Sequence, residues 1–568
     1  MKKEGIKPVS KAWWKEAVAY QIYPRSFMDS NGDGIGDLNG ITMRLDYLKS
    51  LGVDVIWICP MYKSPNDDNG YDIADYHAIM DEFGTMADFD RLLDAVHSRG
   101  MRLILDLVVN HTSDEHAWFV ESRSSRDNPK RDWYVWREGK GGEPGTPADE
   151  PNNWESIFKG SAWKYDETTG QYFLHLFSTK QPDLNWENPE VRGAVNDMVR
   201  WWLDKGIDGF RLDAVSHMKK VPGLPDLPNP DKLDHVPSFD MHMNVPGVLD
   251  YMDSLCQESF RHYDIMTVGE ANGVSAEQSV EWVGEAHQRL NMLFQFEHLT
   301  LWANDPSAPL DLVALKKIFT RWQTTLDGVG WNALFLENHD IPRIVSKWGD
   351  VRNYWRESTT ALSTMYFLMQ GTPFIYQGQE IGMTNVRFDS IDDFNCVFAR
   401  NDYALQRAKG VPVEEVIAKL SVIARDNSRT PMQWDASPNA GFTSGRPWLK
   451  VNENYTAINV ADQETDPDSV LNYHRKLIRL RKAEPVLVYG RYTLLMADDP
   501  QIYAYTRTLD DGRFLVITNL SGKDATYRHD GFALHHADLM LANVAVAPHD
   551  ETRALILRPY EARVYRVS

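Results

Sequence analysis

Three acidic side chains each close a short apolar run, which is an arrangement that can do acid and nucleophile chemistry. They are Asp213 in DGFRLDAV, Glu270 in IMTVGEA and Asp340 in LFLENHDIPR. Arg211 lies two residues before Asp213, so on a strand both side chains point to the same face. A cation at that distance favours an ionised carboxylate, as a nucleophile requires. Acids at the C-terminal ends of successive buried strands are typical of a (β/α)8 barrel active site.

The elements that must position these acids can be read from the apolar runs of the chain. Runs of strand length alternate with amphipathic helical segments, and this βαβα order predicts a parallel sheet. Eight such strands are what a closed TIM barrel needs. The predicted strands are Val18–Pro24, Asp54–Pro60, Arg102–His111, Asp208–Ala214, Asp264–Glu270, Met292–Phe296, Asn332–Leu336 and Pro373–Tyr376.

The alternation is interrupted twice and then replaced by another pattern. Residues 111–186 are rich in Trp, Gly, Asn and Pro and too long for a loop, which predicts a subdomain inserted after strand 3, over the active-site face. A second insertion is expected near Ile381–Asp435. Short alternating strands follow Lys482 and predict a C-terminal antiparallel β-sandwich. The predicted boundaries are 1–110 and 187–482 for the barrel, 111–186 for the inserted subdomain and 483–568 for the C-terminal domain.

Composition narrows the class of partner. The formal net charge of −21 argues against nucleic acid or an anionic membrane surface. Cys59, Cys256 and Cys396 are far apart and odd in number, so they predict neither a disulfide framework nor a zinc site. The first residues carry no apolar signal region and no run of about 18 apolar residues occurs, so we expect a cytoplasmic protein. A mature chain that has lost its signal is the alternative.

Four motifs in order carry a family resemblance: DLVVNH, GFRLDAV, TVGEA and FLENHD, together with QPDLNW and RTPMQW. The chain resembles glycoside hydrolase family 13, the α-amylase family, in its oligo-1,6-glucosidase and α-glucosidase branch. The resemblance implies a retaining, exo-acting α-glucosidase that releases glucose from the non-reducing end of short α-glucosides. It implies that Asp213 is the nucleophile, that Glu270 is the acid/base, and that Asp340 binds sugar hydroxyls.

The resemblance also implies a binding pocket around these acids. His111 and His339 correspond to the family's two histidines that hydrogen-bond the sugar ring. Asp68 and Tyr71 correspond to residues that grip the non-reducing end. Arg429 corresponds to an arginine that, together with Asp68, blocks the pocket beyond one glucose. Further substrate contacts are expected from Arg211, which would orient the nucleophile, and from Phe158, Phe177 and Gln181 on the inserted subdomain.

A cation site is expected in DSNGDGIGD, where oxygen-bearing residues alternate around a turn at Gly34. This is the first part of an EF-hand-like loop, although Gly40 stands where the bidentate glutamate would be. The resemblance implies a structural Ca²⁺ or Mg²⁺ ion far from the acids. The expected ligands are Asp29, Asn31, Asp33, the Ile35 carbonyl and Asp37.

Several functional alternatives remain open at this level. Ala214 follows the nucleophile, where valine accompanies α-1,6 preference in this branch, so alanine favours α-1,4 cleavage or mixed use of maltose-like, isomaltose-like and sucrose-like substrates. A sucrose isomerase is the runner-up, but Glu297–Asp311 lacks the arginine-rich loop expected there. No phosphate-binding cluster favours a trehalose-phosphate hydrolase. A non-catalytic sugar-binding or transporter-accessory homologue is the alternative of another class. Transglycosylation is an expected side activity, and the protein is expected to be a monomer or weak homo-oligomer.

Overall fold

A parallel barrel forms the centre of the molecule. The computed structural model describes residues 10–303, 308–528, 531, 534–548 and 552–567. Within them, all eight predicted barrel strands are present in one sheet, and a parallel bridge between Leu293 and Asn332 joins its two ends, which confirms the TIM barrel. In chain order the strands are Ala19–Ile22, Val55–Ile58, Arg102–Val108, Gly209–Asp213, Met266–Glu270, Met292–Phe294, Ala333–Leu334 and Thr372–Tyr376.

The fourth strand shows how the sequence places charge inside the barrel. Its five residues are all buried, as expected for a strand covered on both faces. The register pairs Arg211 with Asp106 of the third strand, so the two side chains leave the sheet at the same level. Gly209 opens the strand with φ 139°, and a Cβ there would lie 1.9 Å from the Met266 carbonyl oxygen. Only glycine permits this close approach of the fourth and fifth strands.

Helices cover the outside of the barrel. The amphipathic helix predicted after the second strand is Met86–Ser98, which begins with a capping box between Thr85 and Asp88. The other barrel helices of six or more residues are Leu38–Met43, Leu45–Leu51, Pro189–Asp204, Val248–Glu258, Ala276–Val283, Leu312–Thr325, Trp355–Phe367, Val460–Thr465 and Val470–Ala483. The shorter ones are Trp13–Glu16, Thr300–Ala303, Ile344–Trp348 and Pro485–Tyr489.

Two insertions rise from the carboxyl side of the barrel. The first contains the helix Ala117–Ser124 and a three-stranded antiparallel sheet. Its strands are Trp136–Arg137, Trp163–Asp166 and Gln171–Leu174, while Trp154–Glu155 pairs with Val236–Pro237 outside the insertion. The second insertion packs the helices Val397–Ala408 and Val413–Ile423 around a small apolar core of its own and ends with the short helix Asp426–Arg429. A further hairpin pairs Tyr62–Lys63 with Asp75–Ile79.

The C-terminal region is an antiparallel β domain, as predicted. Its larger sheet contains Arg491–Leu495, Ile502–Leu509, Gly512–Asn519, Leu539–Ala542 and Ala562–Val567. The smaller sheet pairs Ala525–Arg528 with Ala554–Leu557. The domain boundaries given above stay predictions. In the described part of the chain, no helix has the length and apolar character needed to cross a membrane.

Candidate active site

Arg211 joins the acids at the carboxyl end of the barrel. Its Nη1 donates to Asp213 Oδ1 and to Asp106 Oδ1, each at 2.6 Å, and its Nη2 donates to Glu270 Oε2. The Arg211 side chain is almost fully buried. A single guanidinium can bind two carboxylates only when they lie within a few ångströms of each other. Asp213 and Glu270 therefore share one small space, although they come from different strands.

Asp106 completes this first cluster from the third strand. It is fully buried, and its Oδ2 accepts hydrogen bonds from Trp57 Nε1 at 2.8 Å and Tyr71 OH at 3.2 Å. The motif DLVVNH contains Asp106, but sequence reasoning gave it no role. A charged residue in the middle of an apolar strand is itself a signal, because such a residue is rarely buried without a partner. Here the partner is Arg211.

Burial governs the protonation of the two acids that share Arg211. It raises the pKa of Glu270 to about 8 and the pKa of Asp213 to about 7, because the ionised form loses its water. Arg211 lowers both pKa values, but less than burial raises them. Glu270 is therefore mostly protonated at pH 7, as a proton donor must be. Arg211 favours ionised Asp213, as the sequence predicts, but burial has the larger effect because the cation is shared among three acids.

Asp340 lies in a second cluster with the opposite balance of charge. Arg425 Nη1 and Arg429 Nη2 donate to its Oδ1 at 3.1 and 2.8 Å, and His339 Nε2 lies 3.1 Å from its Oδ2. Burial would raise the pKa of Asp340, but His339, Arg425 and Arg429 outweigh burial and hold that pKa well below its usual range. Asp340 is therefore an anion at neutral pH.

The structure places Arg425, rather than the predicted Arg429, against Asp68. Asp68 Oδ1 accepts from Arg425 Nη2 at 2.9 Å, whereas Arg429 binds Asp340 and the His339 carbonyl oxygen. Arg425 and Arg429 bracket one helical turn, so side chains four residues apart lie on one face and reach adjacent acids. The sequence motif identified the second arginine of this pair and missed the first.

A cavity of about 310 Å³ opens between the two clusters. Tyr71 forms part of its wall and stacks on His339, with ring centroids 5.1 Å apart. Gln181 Nε2 lies 3.2 Å from both Asp68 Oδ2 and His111 Nε2. The cavity brings together most of the predicted residues, with Arg425 and several residues that were not predicted. Its lining residues include Asp68, Tyr71, His111, Phe158, Phe177, Asp213, Ala214, Glu270, Asp340 and Arg425.

The unpredicted lining residues lie outside the sequence motifs. Ile157 lies on the inserted subdomain, and Phe239 and Met243 lie on the segment after the fourth strand. Asn272 lies two residues after Glu270 and donates to its Oε1 at 3.2 Å. His217 follows Asp213 by four residues. Only the positions of Asn272 and His217, close to the strand-end acids, could have marked them in the sequence.

The loop expected to bind a cation lies apart from this cavity. Asp29, Asn31 and Asp33 each accept a hydrogen bond from a backbone N–H two residues ahead, at 2.8 to 2.9 Å. Asp37 caps the following helix through the Gly40 N–H. Among the described residues, no cluster of three or more His, Cys, Asp or Glu side chains is arranged to hold a metal ion. The donors are nevertheless all oxygens, which suit a hard cation.

Comparison with known proteins accounts for nearly the whole chain. Residues 21–490 match the family model of the alpha amylase catalytic domain, and residues 492–564 match that of the maltogenic amylase C-terminal domain. A probable oligo-1,6-glucosidase 3 from Bacillus subtilis (strain 168) is 56% identical, over 98% of this chain and 100% of that one. An oligo-1,6-glucosidase from Parageobacillus thermoglucosidasius is 53% identical, over 98% and 100%.

A solved structure is also similar to this chain over nearly its whole length. An isomaltulose synthase from Erwinia rhapontici NX5 superposes with a TM-score of 0.92 at 46% identity, covering 99% of this chain and 100% of that one. The matching models span both the barrel and the C-terminal β domain, and the similar proteins are matched over their full length. The chain therefore belongs to the α-amylase family of glycoside hydrolases, in its oligo-1,6-glucosidase branch.

Proposed function

We propose that this protein is a retaining exo-α-glucosidase that releases glucose from the non-reducing end of short α-glucosides. The observation that carries the proposal is the cavity, which has an acid pair on one guanidinium and is bounded by the Asp68–Arg425–Asp340 bridges. A pocket bounded in this way suits one terminal sugar better than the middle of a chain. Three acids in one cavity also argue against the non-catalytic alternative.

The roles follow from the protonation of each acid. Asp213, when ionised, attacks the anomeric carbon, while protonated Glu270 donates its proton to the leaving oxygen. Glu270 then takes a proton from the water that hydrolyses the glycosyl–enzyme, or from a sugar hydroxyl, which gives transglycosylation. A retaining enzyme needs its two carboxyl groups about 5 to 5.5 Å apart, and a shared guanidinium favours such a short separation. Asp340, always charged, is suited to bind sugar hydroxyls.

Linkage preference is the finer part of the proposal. The names of the similar proteins, which are oligo-1,6-glucosidases, support a preference for α-1,6 bonds. Ala214 instead supports a preference for α-1,4 bonds or the use of both linkages. We propose activity on both linkages. A product time course on maltose, isomaltose, sucrose and p-nitrophenyl α-glucoside, with anomers followed by NMR, tests this. Initial release of α-glucose is expected, and initial release of β-glucose would contradict the proposal.

The sucrose isomerase alternative has one structural observation in its favour, the similarity to the isomaltulose synthase. The sequence counts against it, since Glu297–Asp311 lacks an arginine-rich loop. Residues 304–307 of this segment lie outside the described residues. Isomaltulose or trehalulose from sucrose in the same time course would favour the isomerase, and glucose plus fructose would favour the hydrolase.

We also propose that the loop from Asp29 to Asp37 holds a structural Ca²⁺ or Mg²⁺ ion. Gly34 has φ 95°, and a Cβ there would lie 1.8 Å from the Arg446 carbonyl oxygen, so the loop is tightly curled against the chain. The expected ligands are the side chains of Asp29, Asn31, Asp33 and Asp37 and the carbonyl of Ile35. Metal analysis and melting curves with and without EDTA test the site. A melting temperature lowered by EDTA and restored by Ca²⁺ supports it, and an unchanged one contradicts it.

Two expectations about the protein's surroundings stay predictions. We propose a cytoplasmic protein that acts on oligosaccharides as a monomer or weak homo-oligomer. Residues 1–9, on which the signal-peptide prediction partly rests, lie outside the described residues. All three cysteines are buried and free, in keeping with a reducing compartment. Cell fractionation and light scattering test location and oligomeric state.

A further inference from the structure

The helical turn that carries the arginines of the second cluster is too short to be stable alone. It consists of the four residues Asp426–Arg429, and Arg425 directly precedes it. A single turn forms few helical hydrogen bonds, so contacts with other segments must set its position. That position matters, because Arg425 and Arg429 donate to Asp340 from the two ends of this turn.

Arg343 and Tyr376 bind the carboxyl end of this turn. Arg343 Nη2 donates to the Ser428 carbonyl oxygen at 3.2 Å, and Tyr376 OH donates to the same oxygen at 2.7 Å. The last carbonyl groups of a helix have no partner within the helix and carry partial negative charge, so a cation is favourable there. All three residues are fully buried. The turn is therefore held by a cation and a hydroxyl of the barrel.

The same guanidinium binds the loop that carries Asp340. Arg343 Nη1 lies 3.2 Å from Glu337 Oε2, and Glu337 precedes Asp340 by three residues. Glu337 Oε1 also accepts the Ile344 N–H at 3.3 Å. Arg343 Nη1 donates in addition to the Gln377 carbonyl oxygen at 2.7 Å, directly after the eighth strand. One side chain thus joins the Asp340 loop, the eighth strand and the helical turn.

Glu337 and Arg343 form a buried ion pair behind the wall of the cavity. Glu337 is 3% exposed and Arg343 is 0% exposed. Burial raises the pKa of Glu337 to about 7, although Arg343 lowers it. A buried charge that loses its partner is costly, so this pair resists displacement. Neither residue, nor Tyr376, is among the described residues that line the cavity. Their effect on a substrate must therefore pass through the turn and the loop.

We propose that Arg343 and Tyr376 are positioning residues, which set the distance between Asp340 and the arginines of the second cluster. This inference rests on the proposed α-glucosidase activity and adds two determinants of substrate binding to it, since the second cluster bounds the sugar pocket. Without these donors the Ser428 carbonyl loses its partners and the turn shifts. The bridges from Arg425 to Asp68 and Asp340 then lengthen, and the pocket binds the terminal sugar less well.

The test is a double-mutant cycle between Arg343 and Arg425. Arg343→Met should lower kcat/KM for maltose roughly three- to tenfold, mainly by raising KM, as expected for the loss of a buried hydrogen-bonded contact. In protein that already carries Arg425→Met, the same change should cost about twofold or less, because the bridges that Arg343 positions are already lost. Equal losses in the two backgrounds, or no loss in either, would overturn the inference.

A buried arginine that binds other carbonyl groups gives the matched control. Arg481 is fully buried and donates to the carbonyl oxygens of Phe367 and Met369, each at 3.0 Å. Arg481→Met should destabilise the fold as Arg343→Met does, but its effect on kcat/KM should be the same with and without Arg425→Met. Coupling of Arg481 to Arg425 as strong as that of Arg343 would overturn the inference, because it would reflect a general loss of stability.

A second variant keeps the test decisive if Arg343→Met does not fold. Tyr376→Phe removes only the hydroxyl that binds the Ser428 carbonyl oxygen, so it should raise KM for maltose about two- to fivefold, with the same dependence on Arg425. An unchanged KM would overturn the inference while leaving the proposed function intact. Wild-type protein that cleaved no α-glucoside would instead overturn the proposed function, together with the inference that rests on it.

Discussion

Two arginine-centred clusters hold the acids of the cavity, and they differ in their balance of charge. At the end of the fourth strand, Arg211 is shared by three carboxylates, those of Asp106, Asp213 and Glu270. Across the cavity, Arg425 and Arg429 together serve two, those of Asp340 and Asp68. Both clusters lie in the same cavity of the same barrel, so the difference is in partners rather than in fold.

The comparison shows how one pocket can hold acids with opposite tasks. Where one cation is divided among three acids, burial prevails and the pKa values of Asp213 and Glu270 rise to about 7 and about 8. Where two arginines serve two acids, the pKa of Asp340 is held well below its usual range. A group that must donate and then take a proton, such as Glu270, belongs in the first environment, and a permanent anion belongs in the second.

Breaking the first cluster should have the largest effect. Glu270→Gln keeps the shape of the side chain but removes the proton donor, so kcat/KM for maltose should fall about 10² to 10⁴-fold. The loss should be smaller for p-nitrophenyl α-glucoside, because nitrophenolate leaves without protonation. Steady-state kinetics on both substrates measure this. Glu167→Gln, at an exposed position of the inserted subdomain, is the matched control. Maltose cleavage by Glu270→Gln at the wild-type rate would refute the role.

Disrupting the second cluster should weaken substrate binding and change the products of the reaction. Arg425→Met leaves Asp68 without its cation and opens the closed end, so we expect kcat/KM to fall about 10- to 100-fold, mainly through KM, as for a truncated buried ion pair. Product analysis on p-nitrophenyl α-maltoside should then show direct release of maltose and nitrophenol, whereas the wild-type protein first releases glucose and p-nitrophenyl α-glucoside. Arg387→Ala, on an exposed arginine of the same insertion, is the control. An unchanged KM and no direct release of maltose from this substrate would mean that Arg425 does not close the pocket.

The barrel could be predicted from the sequence because its signal is local. A strand buried on both faces reads as a continuous apolar run, and all eight runs became strands. Arg211 and Asp213 sit two apart on one such strand, so their common face followed from the two-residue period of a strand. The acids at the strand ends were found for the same reason.

The partners of the acids could not be predicted in the same way. Asp68 and Arg425 are 357 residues apart in the chain, and only the folded insertion brings them together. The motif RTPMQW drew attention to Arg429, whereas the helical spacing that brings Arg425 to the same acid lies outside that motif. The ionisation of the acids could not be predicted from the sequence either, because the pKa of Asp213 depends on how many acids share Arg211. The sequence shows which ionisable side chains are present, and the packing around each side chain sets its charge.

The pH profile should sharpen the contrast between the clusters. Asp213 must be ionised, so activity should fall as the pH drops through about 7, and Glu270 must be protonated, so activity should fall as the pH rises through about 8. The two acids titrate as a pair, and each limb should approach tenfold per pH unit. Asp340 should add no limb near neutrality. Measuring kcat/KM for maltose, whose leaving oxygen needs the Glu270 proton, from pH 5 to 10 tests this, and Glu270→Gln should lose the basic limb. A profile flat across this range would contradict the charge assignment.

The smallest expected effect concerns Ala214, which lines the cavity beside the first cluster without altering its charge. Ala214 has φ 45°, a left-handed backbone that a β-branched residue tolerates poorly. Ala214→Val should raise the ratio of kcat/KM for isomaltose to that for maltose by about three- to tenfold, as one added wall contact permits. Ala214→Thr has the same branching and nearly the same volume but carries a hydroxyl. It should leave the ratio near that of wild type, so comparing the two variants removes the effect of backbone strain. If both shift the ratio alike, side-chain volume at position 214 sets the linkage. If neither does, the linkage preference lies in another wall of the cavity.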